Sequence, residues 1–223
     1  MSIFDTFLNY RVFVETLPLI LSGLMTTLTL GVTCIVLGFL GGIFLALVRL
    51  YAARPLRIVA VSYIDVFRAL PVLVLLFVVY YALPFAGIRL SSFTSATTAI
   101  SMVSAAYSAE IIRAGIEAIP KGQFEAAHAL GLRFALTMSK VILPQAIKIV
   151  IPPITSNSVS VMKDTALASV VAMPDLLKQA NQAQALAANP TPLIVAAVIY
   201  LMILLPLVRI VGYFEKRWGP SHR

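Results

Sequence analysis

The sequence predicts an all-α integral membrane protein with five transmembrane helices, and three observations support this fold class. Of its 223 residues, 60% are hydrophobic and only 12% are charged, whereas roughly 25% charge is usual in soluble domains. Uncharged hydrophobic runs cover residues 16–48, 69–88 and 90–109. Each run reaches the ~20 residues that a helix needs to cross ~30 Å of hydrocarbon. The runs also lack the 3.6-residue alternation of a soluble helix.

We predict a single transmembrane domain over residues 1–223, with spans at 16–48, 58–83, 93–113, 137–173 and 192–211. The first span is longer than one straight crossing needs, so it tilts or begins on the membrane surface. Its Gly38 and Gly42 have the spacing that lets another helix approach closely. We expect that helix to come from the same chain, with a second subunit as the alternative.

Prolines and polar residues mark the second half of the chain. We expect the fourth span to be broken at the Lys163–Asp164 pair and at Pro144, Pro152 and Pro153, because proline removes a helix donor and kinks the helix. In lipid, such breaks occur mainly where protein or a wet cavity satisfies the freed backbone groups. The polar segment between Pro174 and Pro190 predicts a surface helix.

The distribution of Lys and Arg predicts the orientation. One side of the membrane holds only Arg11, Arg89 and Lys178. The other side holds the basic residues of the loops after spans one and three and of the C-terminal end: Arg49, Arg54, Arg57, Arg113, Lys121, Arg133, Lys140, Lys148, Arg209, Lys216, Arg217 and Arg223. Because cytoplasmic loops are enriched in positive charge, the N-terminus is predicted outside and the C-terminus inside.

Several classes of function are disfavoured. The net charge of +8 does not indicate nucleic-acid binding, because the basic residues lie singly at segment ends and no groove-reading motif occurs. Cys34 is the only cysteine, so one chain cannot form a disulfide framework or a cysteine metal site. No phosphate-cradling G-x-x-x-x-G-K-[ST] stretch is present. The N-terminus lacks the basic region and cleavage site of a signal peptide, so we expect the first span to stay in the mature protein.

The polar stretch GQFEAAHALG, residues 122–131, interrupts this hydrophobic chain on the cytoplasmic side. It predicts a short helix ended by Gly131, which can take the left-handed conformation. Two to three turns of such a helix are marginal alone in water, so it must dock. A helix lying on the bilayer would carry large apolar residues on one face and basic residues on the other. This segment has few of either and fits a protein socket better.

The blocks EAAHALG and ILP, from Glu125 to Pro144, resemble the EAA motif of ATP-binding-cassette (ABC) importer permeases. The neighbouring blocks FRALP, AYSAEIIRAGIEAIPKGQ and MKDTALASVVAMPDLL resemble the branch that transports polar amino acids. This resemblance covers residues 62–179, and the order of its blocks agrees with the predicted orientation. It implies the type I importer permease fold in a bacterial plasma membrane.

The resemblance also implies partners and a mechanism. Two permease subunits, identical or similar, form the pore, and two copies of a separate ATPase subunit bind ATP and Mg. An extracytoplasmic binding protein delivers a polar amino acid. The permease binds no cofactor and performs no catalysis. The short cytoplasmic helix is the coupling helix, with ATPase contacts expected from Phe124, Glu125, Ala126, Ala127 and Gly131. ATPase closure then drives alternating access.

Two positions depart from the family pattern. Phe124 stands where tryptophan is common, which preserves an aromatic docking residue. Leu70 and Leu75 replace the threonine and glutamine of many relatives, so the second span offers fewer polar contacts to a substrate.

Charged residues inside a membrane are costly and usually functional. Asp65 with Arg68, and Glu110 with Arg113, each share one helix face because their spacing is i, i+3. Both pairs lie toward the cytoplasmic ends of their spans. We expect structural ion pairs at the membrane edge, with gating as the alternative.

Lys163, Asp164 and Thr165 lie within the fourth span after a polar run. A desolvated amino acid needs partners for its ammonium and its carboxylate. Asp164 is the candidate for the ammonium, and Lys163 or backbone donors for the carboxylate. Asn157, Ser160 and Thr165 complete the candidate substrate site. The alternative is that Lys163 and Asp164 pair with other parts of the protein, for example across the dimer.

The sequence fits two other function classes less well. An ion-coupled secondary transporter of small polar solutes often shows inverted repeats, and five spans cannot divide evenly into two such repeats. An intramembrane enzyme needs a nucleophile and base or a metal cluster within the spans. His128 and His222 both lie outside them.

Overall fold

The computed structural model describes residues 6–218, and this part is almost entirely helical, with no β-strand. Its main helices are α1 (Tyr10–Tyr51), α2 (Arg54–Ala69), α3 (Val72–Phe77), α4 (Ser92–Glu117), α5 (Lys121–Ala129), α6 (Leu143–Asp164), α7 (Leu176–Ala187) and α8 (Thr191–Trp218). Short π and 3-10 segments adjoin α3 and α6: Val78–Ala82, Leu83–Ala86, Thr137–Ile142 and Thr165–Val171. His222 and Arg223, named in the sequence analysis, lie outside the described residues.

Three helical segments of the described chain are long and apolar enough to cross a membrane: Tyr10–Tyr51, Phe134–Val171 and Thr191–Trp218. The bent pair α2–α3 makes a fourth if it counts as one span. The expected third span corresponds to α4, which does not meet this criterion. Its sequence is rich in serine, threonine and alanine, so its hydropathy is lower than that of the three segments named above. Much of its surface is buried against other helices. Length and apolarity therefore identify three or four crossings, not the five expected.

Close contact between α1 and α4 places α4 at the centre of the fold. A Cβ atom on Gly38 would lie 2.2 Å from the Ser104 hydroxyl, and one on Gly42 would lie 2.3 Å from Ser108 Cβ. Only glycine permits this approach, as in other small-residue helix contacts. The expected partner within the same chain is therefore present, and α4 also packs against α2 and α6.

The second predicted span, 58–83, is not one straight helix. The pair α2–α3 bends by 104° at Leu70 and Pro71, where Leu70 is extended. A residue before proline is disfavoured in the helical region, and proline itself lacks an N–H donor, so the chain turns here.

The breaks in the fourth predicted span differ at the prolines from those expected, whereas the break expected at Lys163 and Asp164 is present. The helix α6 continues through Pro152 and Pro153, because packing by neighbouring helices compensates for lost backbone bonds in membrane helices. Pro144 lies in the first turn of α6, where a missing donor costs little. The interruption comes at Thr165, where a 3-10 segment begins.

The polar helix α7 packs against α1 and α8 and does not lie alone on a surface. Its Leu176 and Ala180 are buried together with Ile20 of α1. The backbone N–H of Leu176 donates to the Thr27 hydroxyl at 2.9 Å, and Asp175 caps the first turn by accepting from Lys178 N–H at 3.0 Å. These contacts attach α7 to the first half of α1.

We predict that Gly42→Ala destabilises the protein by about 1–3 kcal/mol, because the added methyl group overlaps Ser108 and overpacked cores lose stability on this scale. Gly212→Ala is the matched control, since a Cβ atom there meets nothing within 4 Å. It should be neutral or stabilising by roughly 0.5–1 kcal/mol. Thermal unfolding in detergent measures both. Equal stability of the two variants would contradict the packing argument.

Candidate functional site

A cavity of about 510 Å³ lies where the α2–α3 break, α4 and α6 meet. This volume is within the roughly 300–1,000 Å³ usual for small-molecule sites. Its walls combine apolar side chains with a nearly equal number of polar and charged ones: Arg68, Ser104, Tyr107, Asn157, Ser160 and Asp164. The cavity therefore offers several polar contacts beside its apolar walls.

Helical spacing decides which of the predicted substrate residues reach this cavity. Asn157, Ser160 and Asp164 all line it, because steps of three and four residues keep them on one face of α6. Lys163 is exposed and does not line the cavity. Thr165 is fully buried and donates to the Met162 carbonyl at 2.7 Å. The structure thus brings together three of the five predicted residues.

The position of Asn157 is set by two serines of α4. Its Nδ2 donates to Ser104 Oγ at 3.4 Å and to Ser108 Oγ at 3.2 Å. These are the serines that pack against Gly38 and Gly42 of α1. Because both bonds use the amide nitrogen, the Asn157 Oδ1 keeps its capacity to accept a hydrogen bond. Ser104, Ser108 and Tyr107 were missed by the sequence analysis, although Ser104 and Ser108 have the i, i+4 spacing of a polar stripe.

Asp164 ends α6 at the edge of the cavity. Within residues 6–218 its carboxylate forms neither an ion pair nor a hydrogen bond. An ionised carboxylate is a pure acceptor, and an unpaired charge away from water is costly. Asp164 therefore places a carboxylate without a hydrogen-bonded partner at the cavity.

Glu110 is the centre of an arginine cluster that connects α1, α2 and α4. One oxygen accepts from Arg49 Nη1 at 2.8 Å, and the other accepts from Arg113. Arg113 also pairs with Glu117. The Glu110–Arg113 contact agrees with the sequence prediction. The sequence did not indicate that Arg49 would pair with Glu110 or that Glu117 would pair with Arg113.

The predicted Asp65–Arg68 pair is not formed among the described residues. Arg68 instead extends toward α4, where its Nη1 lies 3.8 Å from Glu110 Oε1. Its guanidinium lies 5.6 Å from the centre of the Tyr107 ring, and the Tyr107 hydroxyl donates to the Arg68 carbonyl at 3.3 Å. The carboxylate and aromatic face on α4 offer Arg68 more contacts than the exposed Asp65 does.

The predicted coupling helix is α5, which has an anchored face and a free face. Phe124 and Ala127 face their own chain: Ala127 is buried, and Phe124 packs against the cluster containing Ile116 and Ile142. Glu125 and Ala126 are exposed. The N–H of Leu132 bonds the Ala127 carbonyl at 3.1 Å and the N–H of Gly131 bonds that of His128 at 2.9 Å.

This pair of bonds is the Schellman arrangement, with Gly131 at φ 71°. It ends α5 at the residue expected from the sequence and turns the chain back toward α6. Within the described part of the chain, no group of three His, Cys, Asp or Glu side chains is arranged to hold a metal ion.

Comparison with known proteins assigns these features to a family. Residues 38–220 match the family described as binding-protein-dependent transport system inner membrane component. The chain belongs to this family of ABC permeases. The resemblance predicted from the EAAHALG block and its neighbours is therefore confirmed.

Several members are similar over nearly their whole length. The probable glutamine ABC transporter permease protein GlnM of Bacillus subtilis (strain 168) is 35% identical, over 96% of this chain and 100% of its own. The arginine transport system permease protein ArtQ of the same organism is 38% identical, over 94% and 97%. The crystal structure of an amino acid ABC transporter with histidines matches with a TM-score of 0.89 at 37% identity, covering 97% of this chain and 100% of that one. The inward-facing MetNI methionine ABC transporter, at 21% identity and TM-score 0.62, shares the fold.

Membership settles the class of protein. This permease is a multi-pass component of the inner membrane, in a family whose importers work with a separate ATPase subunit and a substrate-binding protein. The chain is a transport subunit and not an enzyme.

We predict that Glu110→Gln destabilises the permease by about 2 kcal/mol or more, because it leaves Arg49 and Arg113 without their shared carboxylate in a site where each side chain is only 21% exposed. Glu117→Gln removes a partner that is 52% exposed, so its effect should be within about 0.5 kcal/mol. Unfolding midpoints of the two variants in detergent give the comparison. If the Glu110→Gln protein were as stable as the Glu117→Gln protein, the arginine cluster around Glu110 would not stabilise the fold.

Proposed function

We propose that this permease forms half of the translocation pore of an ATP-driven amino acid importer. The observation that carries this proposal is the arrangement of two sites: a cavity with the unpaired Asp164, and the helix α5 with an exposed face. The second pore subunit is a similar or identical permease. Two ATPase subunits bind ATP and Mg, and an extracytoplasmic protein delivers the substrate.

The arrangement of the helices fits five membrane crossings with the N-terminus outside. The fifth crossing is α4, which is surrounded by other helices of the chain and not by lipid. The end of α1, the end of α4 and the anchored face of α5 meet in one cluster that includes Leu50, Ile116 and Phe124. This end carries most of the Lys and Arg, which supports its cytoplasmic assignment. At the opposite end, the N–H of Asn9 donates to the Thr191 hydroxyl at 3.1 Å, which brings the starts of α1 and α8 together.

The exposed face of α5 is the proposed ATPase contact. Glu125 and Ala126 supply a charge and a small surface, while Phe124 and Ala127 hold the helix to its own chain. Gly131 reverses the chain direction. The predicted ATPase-contact residues therefore have two roles: those on the exposed face of α5 contact the ATPase, and those on the other face anchor α5 to its own chain.

The helix α6 links α5 to the cavity. Its first turns pack in the cluster with Phe124 and Ile116, and Asp164 stands at its other end, about 33 Å away for 22 residues. A displacement of α5 on ATPase closure would move one end of this rod relative to the cavity. This is the proposed route from ATP binding to alternating access.

The proposed substrate contact is Asp164, with Asn157 and Ser160 beside it. Asp164 binds the ammonium group that every amino acid carries. We assign no direct contact to Lys163 or Thr165, since neither lines the cavity.

We predict that Ala126→Trp abolishes copurification of the ATPase with the tagged permease, because a large side chain on the exposed face prevents close approach. The variant itself should fold, since Ala126 is exposed. The matched variant Ala127→Trp changes the buried neighbour and should instead destabilise the permease. Affinity purification of coexpressed subunits and thermal unfolding measure the two effects. An Ala126→Trp complex that retains a fully active ATPase would refute the docking face.

We predict that Asp164→Asn abolishes amino acid-stimulated ATP hydrolysis and uptake, while the complex still assembles. The amide removes the negative charge at the cavity with little change in size. The measurement uses the complex in lipid, with its binding protein and a panel of acidic, amide and basic amino acids. Unchanged uptake would remove Asp164 from the site. If no ATPase assembles with the wild-type chain, an ion-driven transporter becomes the better description.

A further inference from the structure

The cavity holds two opposite charges, on separate elements. Arg68 lies at the end of α2 and Asp164 at the end of α6, and both line the same space. Within the described residues the Arg68 guanidinium donates no hydrogen bond, and Asp164 accepts none. Asp164 is half-buried and the Arg68 side chain is 39% exposed. The guanidinium therefore keeps donors, and the carboxylate keeps acceptors, for a ligand in the cavity.

The ion pair between Arg68 and Glu110 does not satisfy Arg68. Their closest approach is 3.8 Å, which is beyond hydrogen-bond distance. The two oxygens of Glu110 already accept from Arg49 and Arg113. Three guanidinium groups therefore surround one carboxylate, and Arg68 is the one in excess. A further carboxylate at the cavity would find a planar donor group suited to bidentate binding.

We propose that Arg68 binds the α-carboxylate of the substrate while Asp164 binds its α-ammonium, so that the site selects zwitterionic amino acids with an uncharged polar side chain. This assignment rests on the amino acid importer proposed above. It replaces Lys163, which does not line the cavity, whereas Arg68 does.

Charge balance argues for the uncharged side chain. With Arg68 and Asp164 both matched by the backbone groups of the substrate, no charged side chain of the cavity remains for a cationic or anionic substrate side chain. The polar groups that remain are neutral. Asn157 offers its Oδ1 as an acceptor, since its Nδ2 is held by Ser104 and Ser108. A carboxamide supplies the N–H donors that such an acceptor needs. The names of the relatives do not decide this point, because they include both glutamine and arginine permeases.

Ligands that differ only at the carboxylate provide the test. Binding of glutamine and of its α-amide, which lacks the carboxylate, is measured on the permease–ATPase complex in lipid nanodiscs without the binding protein. Arg68→Gln should weaken glutamine binding about tenfold or more, as expected for a lost charge-assisted hydrogen bond, and leave the α-amide nearly unchanged. Arg68→Lys should restore part of the glutamine affinity. Lys163→Gln is the matched control and should change neither ligand.

Further variants separate recognition from structure. Arg113→Gln alters the same Glu110 cluster without touching the cavity, so any effect of it should fall equally on glutamine and the α-amide. If Arg68→Gln weakens both ligands equally, its role is structural and the proposal is overturned. A carboxylate-selective loss in Lys163→Gln would overturn it as well, as would the absence of glutamine binding to the wild-type complex at millimolar concentration.

Competition by charged amino acids tests the side-chain class. Arginine and glutamate should compete at least about tenfold more weakly than glutamine, because each brings an unpaired charge into the cavity. Equal or stronger competition by either would refute the selection of uncharged side chains. ATP hydrolysis by the wild-type complex is measured in parallel. If the wild-type complex hydrolyses no ATP, the proposed importer function is refuted. The comparison of glutamine with its α-amide tests only the role of Arg68.

Discussion

The close contact of α1 with α4 is the constraint on which the rest of the structure depends. Glycines at Gly38 and Gly42 let the serines of α4 approach the α1 backbone. The same serines, Ser104 and Ser108, hold the Asn157 amide of α6. Three helices are thereby fixed by one stack of small and polar groups. Since lipid provides little hydrophobic driving force between helices, such close packing and interhelical hydrogen bonding are what a membrane fold can use.

Charge placement follows from the same arrangement. Glu110 stands on α4 between the ends of α1 and α2, so that arginines from both helices converge on one carboxylate. Buried charges persist only when paired and hydrogen-bonded. Arg49 and Arg113 meet this requirement through Glu110, while Arg68 and Asp164 meet it incompletely. The incompletely paired charges are the ones that line the cavity. The charges of the structural cluster and those proposed to face the substrate are thus distinguished by their hydrogen bonding more than by their position in the sequence.

The two proposed functional regions, the cavity and α5, lie at opposite ends of α6. At one end of α6, the cluster of Ile142 and Ala146 holds the anchored face of α5. At the other end, regular helix gives way to a 3-10 segment immediately after Asp164. A rigid α-helix transmits displacement along its axis, while an irregular segment absorbs it. The proposed coupling mechanism places force at the first end and substrate contact at the second.

The amino-acid sequence by itself determined the all-helical membrane class, the family, the segment that forms α5 and its end at Gly131. These properties depend on local composition, on motif order and on the conformational freedom of glycine. The sequence also predicted a group of five candidate substrate residues, of which helical periodicity puts Asn157, Ser160 and Asp164 on one face, while Lys163 and Thr165 do not line the cavity. Only the tertiary structure decided the partner of Arg68, the exposure of Lys163 and the contributions of Arg49, Ser104 and Tyr107. Each of these depends on which helices become neighbours, and residues far apart in the chain carry no local signal of that. The prolines show the same limit: Pro71 bends its helix and Pro152 does not, because packing by surrounding helices decides whether lost backbone bonds are compensated.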